Sequence, residues 1–130
     1  MYSFSVQLND TFQNVLDRVA EALQHEGFGV LTDIDFAATV KNKLGIERKP
    51  YRILGACNPP LANQAVEAEA EAGLLLPCNV VVSELENGAI EVAFLDPMVI
   101  MRLSENKTVA AVASQANARL QRVRAALQQV

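Results

Sequence analysis

Cys78-Asn79-Val80-Val81-Val82-Ser83-Glu84-Leu85, then Glu86-Asn87-Gly88-Ala89, then Ile90-Glu91-Val92-Ala93-Phe94-Leu95-Asp96-Pro97 is the stretch whose reading decides the fold. Two runs rich in β-branched and aromatic residues flank an Asn-Gly pair, which is the strongest short-range signal for a β-hairpin. An antiparallel sheet is therefore expected. Taking Asn87 and Gly88 as the two turn residues sets Leu85 against Ile90, Ser83 against Val92, Val81 against Phe94 and Asn79 against Asp96. One face of the hairpin is then mostly apolar, while the other sets Glu84 opposite Glu91, a like-charge pair that is tolerable if solvated or bridged by a cation.

Working back from the hairpin, Tyr51 to Cys57 reads as a central strand, and Asn58 and Pro59 start a helix running to about Ala72, with Gly73 as its stop. Asn accepts hydrogen bonds at an N-cap, and Pro at the first helical position has no N–H to satisfy. Further back, Phe28 to Ile34 reads as a strand, and Asp35 caps a helix over Phe36 to Leu44 that Gly45 ends. At the start, Ser3 to Leu8 alternates with Phe4, Val6 and Leu8 on one side. Asp10 then caps a helix carrying Phe12, Val15, Leu16, Val19 and Leu23 at helical spacing up to Gly27.

Beyond the hairpin, Met98 to Leu103 is an apolar run, read as a strand continuation or a buried crossing segment. Ser104 is expected to cap the last helix, whose stripe is Val109, Val112, Ala116, Leu120, Val123, Leu127 and Val130. Arg119, Arg122 and Arg124 lie in its second half, where cations suit the helix dipole, and His25 ends the first helix in the same way. The result is a single α+β domain over residues 1–130, with its elements in the order strand, helix, strand, helix, strand, helix, two strands, helix.

Composition narrows the function. The chain has 15 acidic and 11 basic residues, a net charge of −4, and so lacks the basic excess that neutralises nucleic-acid phosphates. No apolar run reaches the roughly 18 residues of a membrane span, and Met1 to Leu8 has no leader pattern, so the expected location is the cytoplasm. Two cysteines in such a chain are expected to be reduced thiols. With His25 the lone histidine, two cysteines fall short of a four-ligand structural zinc set, and no metal or cofactor is expected.

Both cysteines are followed by asparagine, and the two pairs, Cys57-Asn58 and Cys78-Asn79, flank one short helix. Cys57 ends a strand just before free backbone N–H groups, a position that lowers a thiol pKa. It reads as a buried apolar residue, a reactive thiol or part of a pocket wall. Asn58 reads first as a cap. Asn79, paired with Asp96, reads as a turn-pinning group or a ligand contact. Cys57, Asn58, Cys78, Asn79 and Asp96 are the candidate binding residues.

The segments Ile53-Leu54-Gly55-Ala56-Cys57-Asn58-Pro59 and Gly73-Leu74-Leu75-Leu76-Pro77-Cys78-Asn79-Val80 resemble the bacterial and archaeal family called "domain of unknown function 302". The opening strand and helix, Phe28-Gly29-Val30 and Asp96-Pro97 match as well. The resemblance implies a curved antiparallel sheet packed with helices, similar to the TATA-box-binding-protein arrangement, and a homodimer; it implies no established activity. The leading expectation is a small-molecule binding or accessory module. A thiol redox or sulfur-carrier protein using Cys57, and an interaction module without a ligand, stand as alternatives.

Overall fold

A computed structural model describes residues 1–128. Five strands and five helices follow one another: β1 (Ser3–Leu8), α1 (Phe12–His25), β2 (Gly29–Asp35), α2 (Phe36–Leu44), β3 (Tyr51–Cys57), α3 (Pro59–Ala68), β4 (Cys78–Glu84), β5 (Ile90–Leu95), α4 (Met98–Leu103) and α5 (Lys107–Gln128). A 3-10 segment, Ala70–Leu75, follows α3. The sheet order is β1-β5-β4-β3-β2, and every neighbouring pair is antiparallel. The α+β class and the open antiparallel sheet agree with the sequence reading.

The core lies on one face of this sheet. Phe4, Val6 and Leu8 stand in register with Phe94, Val92 and Ile90, and Val80 and Val82 continue the rows opposite Phe94 and Val92. Leu54 and Ala56 extend them through Val80 and Cys78. Val15, Val19 and Leu23 of α1 and the long stripe of α5 from Val109 to Leu127 close over these side chains in one apolar cluster. Val130 lies outside the described residues.

The other face carries three rows of residues that take no part in that cluster. Ser5, Ala93, Val81, Ile53 and Ile34 stand side by side across all five strands. Gln7, Glu91, Ser83 and Tyr51 form the row on one side, and Asn79, Gly55 and Thr32 the row on the other. Glu91 is the one formal charge in these three rows.

The hairpin departs from the expected register by one residue. The Leu85 N–H donates to the Ala89 carbonyl and the Gly88 N–H to the Leu85 carbonyl, so Glu86-Asn87-Gly88 is a three-residue loop. Gly88 alone takes a positive φ, 85°, whereas a two-residue type I′ turn requires it of Asn87 as well. Val80 therefore faces Phe94, Ser83 faces Glu91 and Glu84 faces Ile90, so the expected Glu84–Glu91 opposition does not form. The continuous run Val80-Val81-Val82 is apolar on both faces, so the hydrophobic pattern could not exclude the slip.

Four boundaries also differ. Thr11, not Asp10, caps α1 by accepting from the Asn14 N–H, while Asp10 Oδ1 accepts from the Thr11 N–H at 2.7 Å and from the Asn14 side chain at 3.0 Å. Helix α3 ends at Ala68 rather than about Ala72 and tightens into the 3-10 segment. Met98 to Leu103 is helical because Asp96 Oδ1 accepts from the Met98 N–H at 2.9 Å and starts a turn through Pro97. Finally, Asn106 rather than Ser104 holds the start of α5, accepting from the Thr108 and Val109 N–H groups. The Ser104 hydroxyl instead donates to Glu69 Oε1 at 2.8 Å.

Candidate functional site

Strand β3 delivers Cys57 and Asn58 to the end of the sheet where Pro59 turns the chain into α3. The Asn58 side-chain oxygen accepts from the Leu61 N–H at 3.3 Å, and its amide donates to the Glu26 carbonyl at 3.4 Å. One buried amide thus starts α3 and closes the end of α1. The same carbonyl accepts from Arg119 at 3.0 Å, and the Glu26 carboxylate pairs with Arg122 at 2.9 Å. Arg119 and Arg122, read from sequence as helix-end cations, join α5 to the end of α1.

Behind Asn58 the two layers leave an apolar cavity of about 40 Å³. Cys57, Asn58 and Cys78 line it together with Phe28, Leu61, Ile100 and other aliphatic side chains, and six of the sixteen wall residues are alanines: Ala56, Ala62, Ala65, Ala72, Ala113 and Ala116. The alanines create the space, because a sheet and two helices can approach only to their backbone-limited distance and a methyl group does not fill what remains. The volume holds a few water-sized groups and falls well short of the roughly 300–1,000 Å³ of pockets for whole drug-sized ligands.

The cavity gathers three of the five candidates. Asn79 is exposed and stands opposite Gly55, on the face of the sheet away from the cavity. Asp96 does not meet Asn79 across the hairpin; its carboxylate holds the start of α4, and its N–H donates to the Tyr2 carbonyl at 2.8 Å. Their predicted pairing rested on the register that the three-residue loop changes.

The two thiols are free, Cys78 buried and Cys57 half-buried. Cys78 stands in register with Ala56, and Cys57 with Gly29. Burial raises the Cys57 thiol pKa above its ordinary value of 9.0. Burial and, second, the neighbouring Cys57 charge push Cys78 up to about 11. The lowering expected from the α3 N-terminus is thus outweighed by loss of solvent, and both groups rest as neutral thiols at neutral pH. Among the described residues no three His, Cys, Asp or Glu side chains are grouped to hold a metal ion. No helix among them is long and apolar enough to cross a membrane.

One wall signal was missed in the sequence: the small residues Ala62 and Ala65 of α3 and Ala113 and Ala116 of α5 lie three apart on facing helices. Such spacing marks one helix face, yet alanine is also the commonest helix former, so nothing distinguished a cavity wall from propensity.

No curated protein matches the chain. The crystal structure of an uncharacterized conserved protein DUF302 from Bacillus stearothermophilus is similar to it, with a TM-score of 0.89 and 26% identity over 98% of this chain and 99% of that one. The model of the family described as domain of unknown function DUF302 matches residues 4–127, which take in both Cys-Asn pairs, the cavity wall and all five strands but for Ser3 at the start of β1. The chain belongs to the DUF302 family.

Proposed function

We propose that this protein is a small single-domain cytoplasmic binding or accessory module, a homodimer, whose ligand site is the cavity between α3, α5 and the ends of β3 and β4. The observation that carries the reading is an apolar space walled by alanines whose only side-chain heteroatoms come from Cys57, Asn58 and Cys78. Asn58 has spent its oxygen on Leu61 and an amide hydrogen on Glu26, so it offers little further polar recognition. The chemistry left to the site is apolar contact plus two neutral, polarisable thiols. It suits a short alkyl or similarly small apolar group, either as a whole ligand or as the buried end of a larger one.

Native mass spectrometry of freshly purified protein tests this. A copurified small-molecule mass is expected in the wild type, and Ala113→Leu, which fills the cavity, is expected to remove it while the far-ultraviolet circular dichroism stays unchanged. A bare wild-type mass, together with no shift in melting temperature on adding short-chain alcohols, would overturn the reading.

The thiol alternative draws on both sulfurs lining one cavity. A nucleophile working at neutral pH needs thiolate, and burial disfavours it at both positions. Alkylation of Cys57 by iodoacetamide is therefore expected to be slower at pH 7.5 than that of an unstructured cysteine peptide. A rate above that of the peptide would restore the thiol reading in place of ours.

A further inference from the structure

Cys57 and Cys78 are the two cysteines of the chain; both are free, and both line the cavity. Cys78 stands opposite Ala56, which puts Cys57 one residue further along the neighbouring strand. From a strand spacing of about 4.8 Å and a rise of about 3.3 Å per residue, their Cα atoms lie about 6 Å apart. Two cysteine sulfurs can meet across such a separation. Strict alternation would point the two side chains to opposite faces of the sheet, but Cys57 is the last residue of β3, and it shares one cavity wall with Cys78. The charge of Cys57 is also felt at Cys78, as close sulfurs require.

The surroundings decide which ion such a pair would take. No histidine or carboxylate side chain stands in the cavity wall, and the Asn58 side-chain oxygen already holds the Leu61 N–H. His25 is exposed on α1 beside Glu21. Hard ions, which need oxygen donors, and zinc, which needs four ligands, are therefore not served here. Soft thiolates select Cu(I), whose coordination two sulfurs in line complete, and an apolar wall keeps competing water away. A route in is also present. Cys57 is half-buried, and its partner across the strands is Gly29, which is exposed and has open space where a Cβ would stand. An arriving ion meets Cys57 first and the buried Cys78 second.

We propose that Cys57 and Cys78 form a two-coordinate Cu(I) site in the cavity wall. Two S–H bonds break and two Cu–S bonds form as the ion binds. Both protons leave to solvent and copper stays at +1, so no oxidant or reductant takes part. The site goes beyond the small-molecule reading and needs only the two sulfurs.

Anaerobic titration of the reduced full chain with Cu(I), in competition with the coloured chelator bicinchoninate, tests it. Cys57→Ser and Cys78→Ser are titrated beside the wild type, with circular dichroism as the check on folding. The wild type is expected to withdraw one Cu(I) per chain from the chelator, and X-ray absorption at the copper edge to show two sulfur neighbours without nitrogen or oxygen. Each variant is expected to bind Cu(I) more weakly by more than roughly 100-fold, the upper end of what is lost with a group that only supports a ligand. If Cys78→Ser fails to fold, Cys78→Ala replaces it. Copper left on the chelator by the wild type, a ratio other than one per chain, or a folded single variant with wild-type affinity overturns the site. The two readings fail separately: a bare wild-type mass removes the small-molecule ligand and leaves this titration standing, and a failed titration leaves a copurified molecule in place.

Discussion

Asn58 shows why a motif residue need not be a chemical one. Its buried amide bridges the start of α3 and the end of α1, so Asn58→Ala removes a cap and a cross-element bond together. A loss of about 1–2 kcal/mol in urea-unfolding stability is expected. Asn79 is exposed, so Asn79→Ala is expected to stay within about 0.5 kcal/mol of wild type. Gly55 answers to a different constraint. A Cβ there would run into Thr32 Oγ1 and come within 2.8 Å of Pro77 Cγ. Gly55→Ala is expected to lower stability by about 1–3 kcal/mol, and adding Thr32→Ala should recover part of it. The Gly-Ala-Cys-Asn run was visible in sequence, but the crowding above Gly55 was not, because Thr32 and Pro77 reach it from two different neighbouring segments.

The elements themselves were legible wherever a period persisted over several turns, as in α1 and α5, or wherever turn chemistry was strong, as at Asp35 and Gly45 around α2. Their ends were less so. Ser104 and Asn106 are both good caps on local preference, and both act: the Ser104 oxygen accepts from the Asn106 N–H while its hydroxyl donates to Glu69, and Asn106 accepts from the first N–H groups of α5. Asn106→Ala is therefore expected to lower stability by about 1 kcal/mol through loss of two N–H contacts at the start of α5, measured by thermal and urea unfolding. In the hairpin the Asn-Gly pair announced a turn correctly, while the loop length, and with it the register, was settled by backbone hydrogen bonds that a local pattern does not encode.

At the scale of the whole molecule, burial decides the protonation of Cys78. A thiol whose folded pKa is raised keeps its proton while the unfolded chain loses it. The resulting stabilisation is complete below the unfolded value of 9.0 and is lost as the pH climbs towards about 11. Wild-type stability is expected to fall across that window by about 2–3 kcal/mol more than that of Cys78→Ala, read as the difference between the two urea-unfolding curves at each pH. Cys57, also raised, acts in the same direction. By itself the sequence determined the class, the order of the elements other than α4 and the two Cys-Asn junctions, since strand alternation, helical spacing and caps are carried by residues close together in the chain. Only the tertiary structure decided that Asn79 and Asp96 leave the site and that six alanines help to wall a cavity beside Cys57 and Cys78. Those outcomes depend on strand register and on how closely separate elements pack, which are set by contacts between residues far apart in the chain.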